Sequence, residues 1–324
     1  MWKSFRFAGL AVVLMLSLVL SACGNNGSGN SANGGGHNKG SAAKNENNGG
    51  NLNLGDKDIT LIGDNYQSAT ASMLVAKQLL EDIGYNVTIK QVGVGTMFAG
   101  LAGGSADVSL AVWLPNTHAS YWKKYKGKIE KLGMIMKKVP LGLTVPDYMK
   151  DIQSIKDLAN NKNNIGDKLD WTITGISPGA GEMKLTANKV MPAYGLDDKW
   201  KLQQSSGPAM ITALKRAINE HKPIVVTLWY PHWAFVKWDL RLLKDPKNKY
   251  GDPDDVYAAA RKGFKEDSPA AAKLLSQFRW TKKEDETVML HLQKGMDGDQ
   301  AAKKFLKKHP DLKKKWLKGF KTGK

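Results

Sequence analysis

The chain has 324 residues, with 48 Lys and Arg against 30 Asp and Glu, for a formal net charge of +18. A single cysteine, Cys23, excludes an intrachain disulfide, a cysteine zinc cluster and a Cys/Cys redox pair. The positive excess does not point to nucleic acid, because no zinc finger, helix-turn-helix or RNP-like string accompanies it. Part of it lies in Lys303-Lys304, Lys307-Lys308 and Lys313-Lys314-Lys315, interleaved with Phe305, Leu306, Leu312, Trp316 and Leu317. That pattern is an amphipathic helix with a solvated basic face.

At the N-terminus, Lys3 and Arg6 precede an apolar run from Ala8 to Leu20. A basic start, a short apolar run and small residues describe a secretory signal, too short for a spanning helix. Leu20-Ser21-Ala22-Cys23 resembles the lipobox of bacterial lipoproteins, in which cleavage leaves the cysteine as the lipid-bearing first residue. Residues 1–22 are therefore expected as a lipoprotein signal peptide, and Cys23 as the lipid anchor to the extracytoplasmic face of the bacterial cell membrane. Residues 24–56 are mostly Gly, Asn and Ser and predict a flexible tether, since they cannot bury enough surface to offset ordering.

From residue 57 the chain is long enough for two lobes. Ile59 to Ile62 reads as a strand, Thr70 to Ile83 as a helix ending at Gly84, and Tyr85 to Ile89 as a second strand. Met97 to Leu101 is a short helix and Val108 to Trp113 a buried strand, giving βαβαβ and a parallel sheet. The order returns with a strand over 171–176, helices over 181–191 and 210–219, and a strand from Ile224 to Trp229. Met97 and Leu101, like Met210 and Leu214, lie four apart, and each pair precedes a strand ending in Trp-x-Pro. The fold class predicted is α/β, as two similar lobes that face each other.

Ligands bind beyond the carboxyl ends of strands in open α/β sheets, which is where Trp113 and Trp229 fall. Tryptophan is the strongest side chain for holding a cation over its ring face, and a trimethylammonium has no N–H to donate to a carboxylate. Gly175-Ile-Ser-Pro-Gly-Ala-Gly-Glu182 follows a strand and opens a helix, where backbone N–H groups can receive a carboxylate; a plain tight turn accounts for it equally well. Together they match a small zwitterion.

The strings LEDIGYNVT, GTMFAGLAGGSADVSLAVWLPNTH, GLTVPDYM, GISPGAGEMKL, KPIVVTLWYPHW and ARKGF resemble the glycine betaine-binding lipoproteins of ABC importers, from 57 to about 300. The resemblance implies a two-lobed type II periplasmic-binding-protein fold with a ligand cleft between lobes, closing like a hinged trap. Members of that family carry the two halves in either order; here the W-L-P-N-T-H half comes first. The implied lobes are 57–140 plus 262–324, and 141–261, with crossings at Leu141 to Val145 and Val256 to Phe264.

The resemblance also implies roles. The trimethylammonium of the betaine sits among three rings, Trp113, Trp229 and a third at Tyr66, fourteen residues before LEDIGY, where relatives usually carry tryptophan. A phenol offers a smaller face and weaker cation attraction. Backbone N–H groups of Gly181 and Glu182 would hold the ligand carboxylate, and His118 would add a hydrogen bond. The implied partners are glycine betaine or a similar betaine and an ABC permease, for osmoprotection, with no cofactor, no metal and no nucleic acid.

Trp280 and Trp316 are read as packing residues, Trp122, Trp233 and Trp238 as local packing, and His232 as orienting its loop. A metal held by His118 and His232 lacks a third ligand. A surface-anchored enzyme acting on a choline-like or acyl substrate is the competing reading, but H-E-x-x-H does not occur and the single cysteine lies in the lipobox. A wall-binding adhesin would need no duplicated cleft.

Overall fold

A computed structural model describes residues 53–320. The expected signal peptide, Cys23 and the tether as far as residue 52 lie outside the described residues. Ten strands are described: β1 Asp58–Asp64, β2 Asn86–Val92, β3 Val108–Leu114, β4 Ile129–Val139, β5 Leu141–Pro146, β6 Thr172–Thr174, β7 Lys201–Gln203, β8 Val226–Trp229, β9 Leu240–Leu242 and β10 Asp254–Arg261. They form two five-stranded sheets, in the orders β2-β1-β3-β10-β4 and β7-β6-β8-β5-β9.

The two sheets share one plan. In each, a central strand pairs in parallel with neighbours on both sides, β1 with β2 and β3, and β6 with β7 and β8. In each, the next strand runs antiparallel, β10 beside β3 and β5 beside β8. The expected duplication is thus present strand for strand, and β3 and β8 occupy equivalent places. All seven residues of β3 are buried, as an all-apolar strand with both faces covered requires.

Helices α1 (Gln67–Glu81) and α2 (Val94–Ala102) pack on the first sheet, α1 through Ala69, Met73, Ala76, Leu79 and Leu80. Helices from 282 to 316 complete that lobe. Ala301, Ala302, Phe305 and Leu306 are buried there while Lys303, Lys304, Lys307 and Lys308 stay exposed, so the basic segment is amphipathic as expected. Trp280 and Trp316 lie in the core with Phe278 and Phe305, and the Trp316 indole donates to the Arg279 carbonyl at 2.9 Å.

Two boundaries differ from expectation. Residues 254–261, expected in the second lobe, form β10 of the first sheet, hydrogen-bonded between β3 and β4. The chain therefore changes sheets at Pro140 and again between Leu242 and Asp254, and Leu141–Pro146, expected within a crossing, is a strand of the second sheet. The tether also ends earlier than residue 56. Tyr85 donates to the Leu54 carbonyl at 2.6 Å, Asp56 to the Asp267 carbonyl at 2.8 Å, and Ser268 to the Asp56 carbonyl at 2.9 Å. These bonds pin residues 54–56 to the first lobe.

Candidate functional site

Four chain turns converge between the sheets. The first follows β1, where Tyr66 takes the cap position of α1 in an extended conformation and donates its N–H to Asp64 Oδ1 at 3.1 Å. The second follows β3, and carries Trp113 and the cis Leu114–Pro115 bond. His118 donates its N–H to the Trp113 carbonyl at 3.0 Å, while Trp113 donates its own N–H to His118 Nδ1 at 3.1 Å. These reciprocal bonds hold the loop closed. They also fix the tautomer, because Nδ1 is an acceptor and the ring proton must sit on Nε2. Asp254, buried at the start of β10, accepts the N–H groups of Asn116 at 2.6 Å and Thr117 at 2.8 Å.

The third turn follows β8, with Trp229 and a second cis bond, Tyr230–Pro231. His232 caps the next helix through Nδ1, which accepts the Ala234 N–H at 3.1 Å, and its ring meets Trp229 edge-on at 5.1 Å. It braces Trp229 from behind, the orienting role expected of it. The fourth turn follows β6 and leads into a helix at Gly181. A side chain at Gly181 would place its Cβ 2.1 Å from the Thr117 carbonyl oxygen of the other lobe, so only glycine permits this approach.

All six expected site residues, Tyr66, Trp113, His118, Gly181, Glu182 and Trp229, line one cavity between the sheets. Tyr66 and Trp229, from opposite lobes, meet at 4.7 Å with their planes at 63°. Outside the cavity the lobes are latched: the Tyr121 hydroxyl donates to the Gly179 carbonyl at 2.8 Å, and the Lys184 ammonium lies 3.8 Å from the Tyr121 ring centre. The expected packing tryptophans, Trp122, Trp233 and Trp238, belong to the apolar clusters and not to this cavity.

The electrostatics follow from burial. His118 is pushed down to about 3 by burial and then by Lys184, and His232 to about 3 by burial, so both rings are neutral near pH 7. Glu182 is 3% exposed and burial holds its carboxyl well above the usual range. Neither of its oxygens makes a full hydrogen bond, the N–H groups of Gly142 and Leu228 offsetting the burial only in part. No lysine or arginine lines the cavity.

Sequence reasoning missed Asp64, Ser68 and Thr117 in the cavity wall, and Asp254 behind it. Asp64 sits two residues before Tyr66, and a lone Asp at a strand end carries no signal of its own. Asp254 is 138 residues from the loop it holds.

Two sheets of one plan, crossed twice by the chain and enclosing a cavity, define the two-lobed periplasmic-binding-protein class. Within it, residues 57–308 match the family described as the substrate binding domain of the ABC-type glycine betaine transport system, and the chain belongs to that family. Over 158 residues it is 45% identical to the glycine betaine/carnitine transport binding protein GbuC of Listeria monocytogenes serotype 1/2a. That match covers 49% of this chain and 53% of GbuC, so the chain spans about half the length of this curated relative. Among solved structures, lactococcal OpuAC in its closed conformation with glycine betaine aligns with a TM-score of 0.75 and 40% identity, covering 82% of this chain and 100% of that one. A choline-binding protein of an ABC transporter, in complex with choline, aligns at 0.74 with 25% identity over 82% of this chain and 93% of that one. Members of the family are substrate-binding proteins of transport systems.

Proposed function

We propose that the chain captures glycine betaine or a related trimethylated zwitterion and delivers it to an ABC permease for osmoprotection, without catalysing a reaction. The observation that carries this reading is the cavity itself, in which three rings from both lobes share a wall with a neutral histidine and a helix start. The trimethylammonium would sit against Tyr66, Trp113 and Trp229, whose faces surround a diffuse charge that offers no N–H. The carboxylate would take the N–H groups of Gly181 and Glu182, and His118 would donate from Nε2. Closure completes both ends at once, because Gly181 and Trp229 come from one lobe and Trp113, His118 and Tyr66 from the other. The closed pair of lobes would then be the form the permease recognises. Cys23 would carry the lipid that keeps the protein at the outer face of the cell membrane.

An enzymatic role finds no support here: His118 Nδ1 accepts a backbone N–H and Nε2 carries the ring proton, so the ring offers no free base, and no cysteine lines the cavity. Calorimetric titration with glycine betaine, proline betaine, carnitine, choline and glycine tests the proposal. Trimethylated zwitterions should bind and glycine should not. Choline binding as tightly as betaine would remove the carboxylate contacts from the account, and no binding to any betaine would end it.

A further inference from the structure

One group in the cavity wall has no part in the scheme above. Asp64 ends β1, is 5% exposed, and shares the wall with Tyr66, Trp113 and Trp229. Its Oδ1 accepts the Tyr66 N–H, which ties the carboxyl to the ring beside it. We propose that Asp64 is a determinant of cation capture, losing its carboxyl proton as a quaternary ammonium enters, so that binding and proton release form one event. This inference rests on the betaine reading of the cavity.

The step balances simply. The Asp64 O–H bond breaks, the proton passes to water, and the carboxylate left behind faces the trimethylammonium. That cation cannot accept or donate a hydrogen bond, so its gain from Asp64 is Coulombic and grows as water leaves the cavity. Burial raises Asp64 from 3.8 to about 7, against the pull of the Tyr66 N–H, so the empty cavity keeps much of it protonated at neutral pH. An ammonium on the ring faces reverses that effect and draws the carboxyl back down.

The other titratable groups around Asp64 do not duplicate this behaviour. His118, from the loop after β3, and His232, behind Trp229, are neutral down to about 3. The Tyr66 phenol is raised by burial and by Asp64 itself, and stays neutral. Val92, its partner on β2, and Val94, the α2 residue in the wall, carry no charge. Lys184 is engaged on Tyr121 outside the cavity. Glu182, at the helix start, would lie beside the ligand carboxylate, which favours its protonated form. Any linkage through Glu182 therefore has the opposite sign, proton uptake.

Calorimetry of the purified protein with glycine betaine at pH 6 and pH 8, each in two buffers of different ionisation heat, tests the inference. A carboxyl titrating near 7 predicts affinity about tenfold weaker at pH 6 and release of close to one proton per betaine there. The Asp64→Asn variant should bind with no pH dependence and no buffer-dependent heat. Wild-type affinity equal at both pH values, with heat independent of buffer, overturns the inference and leaves the betaine reading standing. Proton release that persists in Asp64→Asn overturns it too, and absence of binding at both pH values overturns both. The wild-type titration decides alone if the variant does not fold.

Discussion

The turn after β1 and the turn after β6 hold the same place in two sheets of one plan, yet they have become chemically opposite. The first presents side chains: Asp64 with a carboxyl, Tyr66 with a ring, both in the cavity wall. The second presents backbone, with Gly181 so close to Thr117 that no side chain fits. Under the proposed function the first turn is the cation end and the second the anion end of one zwitterion site. The lesson is that a duplicated scaffold supplies two equivalent positions, and the difference between an acidic aromatic turn and a bare glycine turn assigns them their charges. The histidines diverge likewise. His118 spends Nδ1 on Trp113 and keeps Nε2–H free, whereas His232 caps a helix and buttresses Trp229.

The largest expected effect comes from neutralising the acidic turn. The folded protein holds a proton on Asp64 up to about pH 7, whereas the unfolded chain loses it near 3.8. Folding stability therefore falls as pH rises between those values, by up to about 4 kcal/mol. Asp64→Asn keeps the oxygen that accepts the Tyr66 N–H and should remove that part of the slope, read as the difference between wild-type and variant urea unfolding at pH 4 and pH 7. Equal slopes in the two proteins would show that the cavity does not desolvate the carboxyl.

Filling the bare turn should act on closure rather than folding. In Gly181→Ala the added methyl meets the Thr117 carbonyl across the cleft, and overpacking of this kind costs about 1–3 kcal/mol. Betaine affinity should drop by about tenfold to a hundredfold while the melting temperature of the empty protein is unchanged. A variant that closes and binds normally would contradict the backbone role of this turn.

The smallest change tests the ring. Tyr66→Trp enlarges the aromatic face at the acidic turn, opposite Gly207, whose missing side chain leaves the phenol its room. Titration should show an affinity gain of about two- to threefold, roughly 0.5 kcal/mol. A loss would mean that the space between Gly207 and Trp229 sets the corner, not the ring's attraction for a cation.

What the sequence made legible was whatever repeats or breaks a pattern locally. Trp-x-Pro at the end of two apolar strands marks both cavity tryptophans, and the glycines before Glu182 mark the helix start. Contacts made across long stretches of chain were not legible. Residues 254–261 read as part of the second lobe because they follow it in sequence, but their hydrogen bonds go back to β3 and β4. Asp64 gave no warning either, since the same carboxyl at an uncovered strand end would be an ordinary solvated charge. In the folded protein it is 5% exposed.

A structure of the protein crystallised with glycine betaine tests the central claim most directly. The account predicts the trimethylammonium among Tyr66, Trp113 and Trp229 with Asp64 beside it, and the carboxylate on the Gly181 and Glu182 N–H groups and His118 Nε2. A ligand bound in the reverse sense, with its carboxylate toward Asp64, or bound outside this cavity, would contradict it.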